Sequence, residues 1–111
     1  MSKFDEKIAL YQGAMKDLGI SFNADLLTKV TKGLGPSIYK RDAETVSGSD
    51  AKELETVKKN FLMKKLGLSD GPKLDSAIEK VMGKMGKSNR NKYRAIVYYL
   101  LVKELGQESK Y

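Results

Sequence analysis

A run of basic side chains between positions 84 and 94 is the part of this sequence best suited to binding chemistry. It holds no acidic residue, and Asn89, Asn91 and Tyr93 lie inside it as groups that could contact phosphates or bases. The run crosses a predicted turn and the first turn of a predicted helix, whose free N–H groups also attract anions. The pattern predicts a site for phosphate or nucleic acid, and the alternative is a solvated charged edge. Its basic members are Lys84, Lys87, Arg90, Lys92 and Arg94.

The composition removes several other kinds of chemistry. The 111 residues include no histidine and no cysteine, so the commonest general base, the commonest metal ligand and every thiolate are missing. We assign no catalytic residue, metal ligand or cofactor site, and we expect the protein not to be an enzyme. An enzyme that uses only carboxylates, lysine or tyrosine remains the alternative. The formal net charge of +7 suits a polyanionic partner, but it is also common in lysine-rich proteins.

The stretch from Tyr93 to Val102 is the most apolar in the chain, with Arg94 as its single charged residue. We interpret it as the buried central helix of the protein, covering residues 88–105, with Ser88 as its N-cap. A buried strand is the alternative, because short apolar runs do not separate the two by periodicity. The helix face least suited to burial holds Lys92, Ala95, Tyr99 and Lys103. The ten residues of this stretch are too few to span a bilayer.

Helical spacing of apolar residues and capping residues predict four more helices around this one. One of them carries a predicted capping box, formed by Asp50 and Glu53. Pro36 favours a short helical turn over residues 37–41, and residues 42–49 are predicted to form a loop. The predicted starts and ends of the four helices are Ser2 and Gly19, Asn23 and the stretch Gly33-Leu34-Gly35-Pro36, Ser49 or Asp50 and Gly67, and Pro72 and Gly86.

These elements predict an all-α fold, a compact single-domain bundle of about five helices plus a short turn. Residues 1–111 form one domain in this interpretation, and residues 106–111 are expected to fray. The first residues contain no apolar signal segment, so we expect a cytoplasmic protein without a membrane anchor.

Residues 41–68, RDAETVSGSDAKELETVKKNFLMKKLGL, resemble a family of small bacterial proteins known only as a domain of unknown function. Residues 98–101, after a basic lead-in, are also similar to that family. The resemblance implies a compact helical domain, and it implies no enzyme class, cofactor or catalytic residue. Helix capping explains Ser49 and Asp50. Three further residues of the segment are candidates for an unrecognised site: Arg41, Asp42 and Asn60. For Asn60 the alternative is a hydrogen bond that holds a loop in place.

Three functional hypotheses follow from the sequence. The leading one is a non-catalytic helical domain that binds a protein partner or an anionic ligand, and an exposed apolar groove would favour it. The second is a nucleic-acid-binding module that uses the basic run at 84–94, and a continuous positive face would favour that. The third is an enzyme without a visible signature, which a deep pocket around Asp42 or Asn60 would favour.

Overall fold

The computed structural model describes residues 3–46, 50–86 and 92–111, and within the first range the side chains of Arg41 and Asp42 are not described. This part of the chain is helical, and its single β-bridge joins Thr45 to Tyr93. The predicted all-α bundle is confirmed. Its elements are α1 (Lys3–Asp17), α2 (Ala24–Leu34), a 3-10 helix (Gly35–Tyr39), α3 (Arg41–Glu44), α4 (Ala51–Thr56), a π-helix (Val57–Lys65), α5 (Pro72–Met85), α6 (Arg94–Glu104) and a second 3-10 helix (Glu108–Lys110).

Helix α6 is the centre of the bundle, as the apolar run predicts. Residues 95–102 are all buried, and the helix packs against α1, α2, α3 and α5. It begins at Arg94 and not, as predicted, directly after Ser88, which itself lies outside the described residues. The predicted solvent-facing side is also wrong, because Ala95 and Tyr99 are almost completely buried. The Tyr99 hydroxyl can be buried because it accepts a hydrogen bond of 2.7 Å from the backbone N–H of Asn23.

The caps of α2 and α4 form where the sequence predicts them. The Asn23 side chain accepts from the backbone N–H of Leu26 at 3.1 Å and starts α2. Gly35 ends α2 with φ +63°, a conformation that favours glycine. Asp50 starts α4 by accepting from the N–H groups of Lys52 at 2.9 Å and Glu53 at 3.4 Å. These bonds satisfy donors that the first turn of a helix leaves unpaired.

Helix α4 continues into a π-helix of nine residues, Val57–Lys65, where the sequence predicts one uninterrupted α-helix. At about 3.6 residues per turn, Val57 and Leu66 would lie roughly two and a half turns apart, on opposite sides of the helix. Both are buried. A π-turn closes its hydrogen bonds to the fifth residue and therefore holds more residues. The wider turns bring Val57, Phe61, Leu62 and Leu66 onto the core side.

Two predicted irregular segments contain more structure than expected. The sequence predicts a loop over residues 42–49, but Arg41–Glu44 form one helical turn. After this turn, the N–H of Val46 donates to the carbonyl of Lys92 at 2.8 Å. At the other end, the expected frayed segment 106–111 contains the short helix Glu108–Lys110, and Tyr111 packs against the core. Apolar contact with the core orders this end. Among the described helices, none is long and apolar enough to cross a membrane.

Candidate functional site

The structure distributes the predicted basic run over different environments. Lys84 is exposed on α5, and its Nζ lies 3.9 Å from Oε2 of Glu104. The side chain of Lys92 is buried, with 4% of the residue exposed. Lys87 and Arg90 lie outside the described residues. The three described members, Lys84, Lys92 and Arg94, therefore do not form one exposed positive face.

Arg94 makes hydrogen bonds to three groups inside the bundle. Its Nε donates to the carbonyl of Ala43 at 2.7 Å, and its terminal nitrogens donate to the Tyr98 hydroxyl at 3.0 Å and to Oε1 of Glu53 at 2.6 Å. Burial alone would lower the pKa of the guanidinium, but the bonds to Tyr98 and Glu53 outweigh it and raise the pKa. Tyr98 in turn stacks on Phe61, with ring centroids 3.9 Å apart.

These contacts join α3, α4 and α6 through one side chain. Such charge-assisted bonds are the stronger class of hydrogen bond, and their partners here are only partly accessible to water. The predicted capping box would use the Glu53 carboxylate at the start of its own helix. In the structure this carboxylate binds Arg94. The structure thus gives Arg94 a packing role.

The other signature residues divide into capping and unassigned side chains. Asp50 is the N-cap of α4, as predicted. Asn60 is exposed in the π-helix and its side chain makes no hydrogen bond within the described part of the chain, so the loop-holding bond suggested for it is not found there. It borders a shallow depression with Lys52, Glu55 and Lys59. Ser49 and the side chains of Arg41 and Asp42 lie outside the described residues.

A second ionic cluster holds the start of α5 against the π-helix. Nζ of Lys58 lies 2.6 Å from Asp70 and 3.0 Å from Asp75, and the lysine is largely buried. The hydrogen bond from Lys58 lowers the pKa of Asp70. The sequence gives no direct signal for this cluster, because the π-turns determine where Lys58 points.

Tyr11 places an unusual polar atom inside the bundle. The residue is fully buried, and its hydroxyl has no hydrogen-bond partner in the described structure. Its ring lies 5.2 Å from that of Tyr93, centroid to centroid. Burial, and then the nearby charge of Glu44, raise the pKa of Tyr11. Glu44 itself pairs with Lys7.

The surface of α1 carries a groove that sequence reasoning missed. Its volume is about 520 Å³, and Tyr93 contributes to it from the start of α6. Leu10 lies in the groove with 42% of its surface exposed, which makes it one of two large apolar residues exposed in the described structure. The spacing Ala9–Gly13 is a sequence signal that could have found it, because small residues four apart share one helix face. The residues of α1 that line it are Ala9, Leu10, Gly13, Ala14 and Asp17, and Leu18 directly follows the helix.

Comparison with known proteins agrees with the resemblance of residues 41–68. No curated protein matches this chain. A family model does match, over residues 10–109, and its description is a protein of unknown function (DUF2853). Because the match covers nearly the whole chain, the protein belongs to this family of proteins of unknown function.

Proposed function

We propose that this protein is a non-catalytic interaction domain of the cytoplasm, which binds an apolar helix of a partner protein in the groove on α1. The observation that carries the proposal is the groove itself, which has a mostly apolar lining and a volume of about 520 Å³, with Leu10 exposed in it. The absence of histidine and cysteine from the chain supports the non-catalytic part of the proposal.

The lining of the groove suits a helix as the ligand. Gly13 presents no side chain, and a Cβ built there would meet no atom within 4 Å. Ala9 and Ala14 flank it on the same face. A partner backbone could therefore approach α1 closely, with its apolar side chains against Leu10 and Leu18. Binding of an amphipathic helix in an apolar groove is a recurrent mode of recognition.

Two acidic residues on the same side of α1, one in the groove and one before it, define the partner further. Glu6 and Asp17 lie on the same side of α1 as Leu10 and Gly13, and both are exposed. They are eleven residues apart, which corresponds to about 16 Å along a helix. A partner helix with basic residues about three turns apart would meet both carboxylates.

A second copy of this chain fits the groove less well. If two α1 helices paired antiparallel and centred on Leu10 and Gly13, Glu6 of one copy would face Asp17 of the other. Like charges directly opposed across an interface disfavour association. The charge pattern therefore favours a basic helix from a different protein.

The test uses a synthetic helical peptide rich in leucine and alanine, with arginines about three turns apart beside its apolar stripe. We expect isothermal titration calorimetry to detect binding, and Gly13→Leu to weaken it at least tenfold. The leucine side chain fills the groove, while the substitution removes a helix-destabilising glycine and so preserves the fold. Gly83→Leu is the matched control, because Gly83 is also a helical glycine with open space at its Cβ position.

The same peptide with glutamates in place of the arginines tests the electrostatic part and should bind more weakly. Equal binding of the peptide by the Gly13→Leu and Gly83→Leu variants would refute the groove as the site. A dimer in sedimentation experiments that Gly13→Leu abolishes would replace the foreign helix with a second copy.

A further inference from the structure

Folding pairs several lysines of this protein with carboxylates, and among the exposed lysines that stay unpaired in the described structure one group gathers where two helices meet. Ion pairs hold Lys7, Lys58, Lys59, Lys80 and Lys103, and Glu104 also draws Lys84. In the described structure, four exposed lysines on two neighbouring elements have no carboxylate oxygen within ion-pair distance. They form what we call the α2–π patch: Lys29, Lys32, Lys64 and Lys65.

Contacts at the end of α2 show that the two halves of the patch meet. Nζ of Lys65, at the end of the π-helix, lies 3.9 Å from the position a Cβ would take on Gly33 of α2. Lys29 is one turn before Gly33 on the same face of α2, and Lys32 directly precedes Gly33 in the chain. The positive groups of the two helices therefore occupy one corner of the molecule.

The end of the chain adds an aromatic ring and a fifth ammonium group to this corner. The ring of Tyr111 approaches the same Cβ position of Gly33 to 3.8 Å and is half-buried. Lys110 donates to the carbonyl of Leu66, directly after the π-helix. Cations do favour helix C-termini. Here, however, Lys110 already occupies the carbonyl of Leu66, and Lys65 lies beside the same Gly33 position as the Tyr111 ring without a carboxylate within ion-pair distance.

We propose that the α2–π patch binds the phosphodiester backbone of single-stranded nucleic acid, with Tyr111 stacking on a base. A group of unpaired ammonium groups suits the repeated negative charge of a phosphodiester chain. An aromatic ring among them is the arrangement with which proteins bind single strands without reading their sequence. This site differs from the basic run at 84–94, of which Arg94 is used inside the bundle and Lys92 is buried.

The test measures fluorescence anisotropy of a labelled oligothymidine with the full chain over a range of salt concentrations. About four phosphate contacts predict a slope of log K against log salt near −2.8 for a single strand. The variant Lys32→Gln/Lys65→Gln should reduce the slope to about −1.4. Lys16→Gln/Lys73→Gln is the matched control, since it removes the same charge from exposed lysines on α1 and α5 that also have no carboxylate within ion-pair distance in the described structure.

Tyr111→Leu tests the stacking part, because leucine keeps the apolar contact with the core but removes the aromatic face. It should weaken binding by about 5- to 150-fold with an unchanged salt slope. Circular dichroism verifies that each variant is folded.

Three results would overturn the proposal. The first is no binding even at low salt, and the second is equal loss in the two lysine double variants, which would show a response to net charge alone. The third is binding that survives Lys32→Gln/Lys65→Gln but is lost in Lys87→Gln/Arg90→Gln, which would move the site to the run at 84–94. Loss confined to the α2–π variants supports it.

Discussion

Replacing Tyr11 with phenylalanine should raise the free energy of unfolding. The tyrosine is fully buried, and its hydroxyl lacks a hydrogen-bond partner in the described structure. In the unfolded chain the same hydroxyl is hydrated, so folding costs its desolvation without a compensating bond, roughly 1–3 kcal/mol. Phenylalanine keeps the ring and its contact with Tyr93 and removes the cost. Because the lost oxygen leaves a small void, we expect a net gain near the lower end, about 1 kcal/mol.

Tyr99→Phe is the matched control, since it removes the same atom from another buried tyrosine. The Tyr99 hydroxyl accepts a bond of 2.7 Å from the N–H of Asn23. Its loss leaves that donor at the start of α2 without its partner, which should cost about 1–2 kcal/mol. The two variants therefore change the free energy of unfolding in opposite directions, although their chemistry and burial are the same.

Urea denaturation followed by circular dichroism measures both effects. With a slope of about 1–3 kcal/mol per molar urea, a change of about 1 kcal/mol moves the midpoint by roughly 0.3–1 M. Unchanged slopes would show that the denatured state is not affected. If Tyr11→Phe destabilises the protein as much as Tyr99→Phe does, the Tyr11 hydroxyl has a bonding partner in solution, such as a buried water, and the reasoning is wrong.

Three further predictions concern ion pairs and glycines. Arg94→Met should lower the free energy of unfolding by about 2–4 kcal/mol in urea titrations, because it leaves the Glu53 carboxylate and the Ala43 carbonyl unpaired. A change below about 0.5 kcal/mol would contradict the packing role of Arg94. The bond from Lys58 lowers the pKa of Asp70 below its usual value of 3.8, so its contribution to stability is present above that pH and is lost as the pH falls. Urea midpoints of the wild type should therefore fall more steeply below about pH 4 than those of Asp70→Asn, and parallel curves would count against the pair. Gly13→Ala should raise stability in thermal melts by about 0.5–1 kcal/mol, since its Cβ would meet nothing within 4 Å, and a loss would show that the groove is closed in solution.

The sequence predicts those features of the fold that depend on a few adjacent residues. The caps at Asn23 and Asp50 are examples, because the side chain that accepts and the N–H groups that donate lie within three residues of each other. Gly35 ends α2 for a similarly local reason. The long apolar run identifies α6 as the centre of the bundle, since no other segment could cover so much apolar surface.

Features set by contacts between distant segments could not be predicted in this way. The π-turns bury Val57 and Leu66 together, and only the position of the neighbouring helices demands that arrangement. Likewise, Tyr99 shares a face of α6 with Lys103, which predicts exposure. The start of α2 nevertheless covers it, and the N–H of Asn23 donates a hydrogen bond to its hydroxyl. Sequence periodicity reports which residues share a helix face but not how many other helices surround that helix.

The contacts of Arg94 give a packing explanation for part of the family resemblance. The resemblance rests on two parts of the chain, residues 41–68 and residues 98–101, which are far apart in sequence. Arg94 joins them through Ala43, Glu53 and Tyr98, and the hydrogen bond between Val46 and Lys92 adds a backbone link. Much of the shared pattern is therefore accounted for by packing between α3, α4 and α6. A binding surface is better sought where side chains lack such internal contacts, and the exposed Leu10 and open Gly13 of α1 meet that condition.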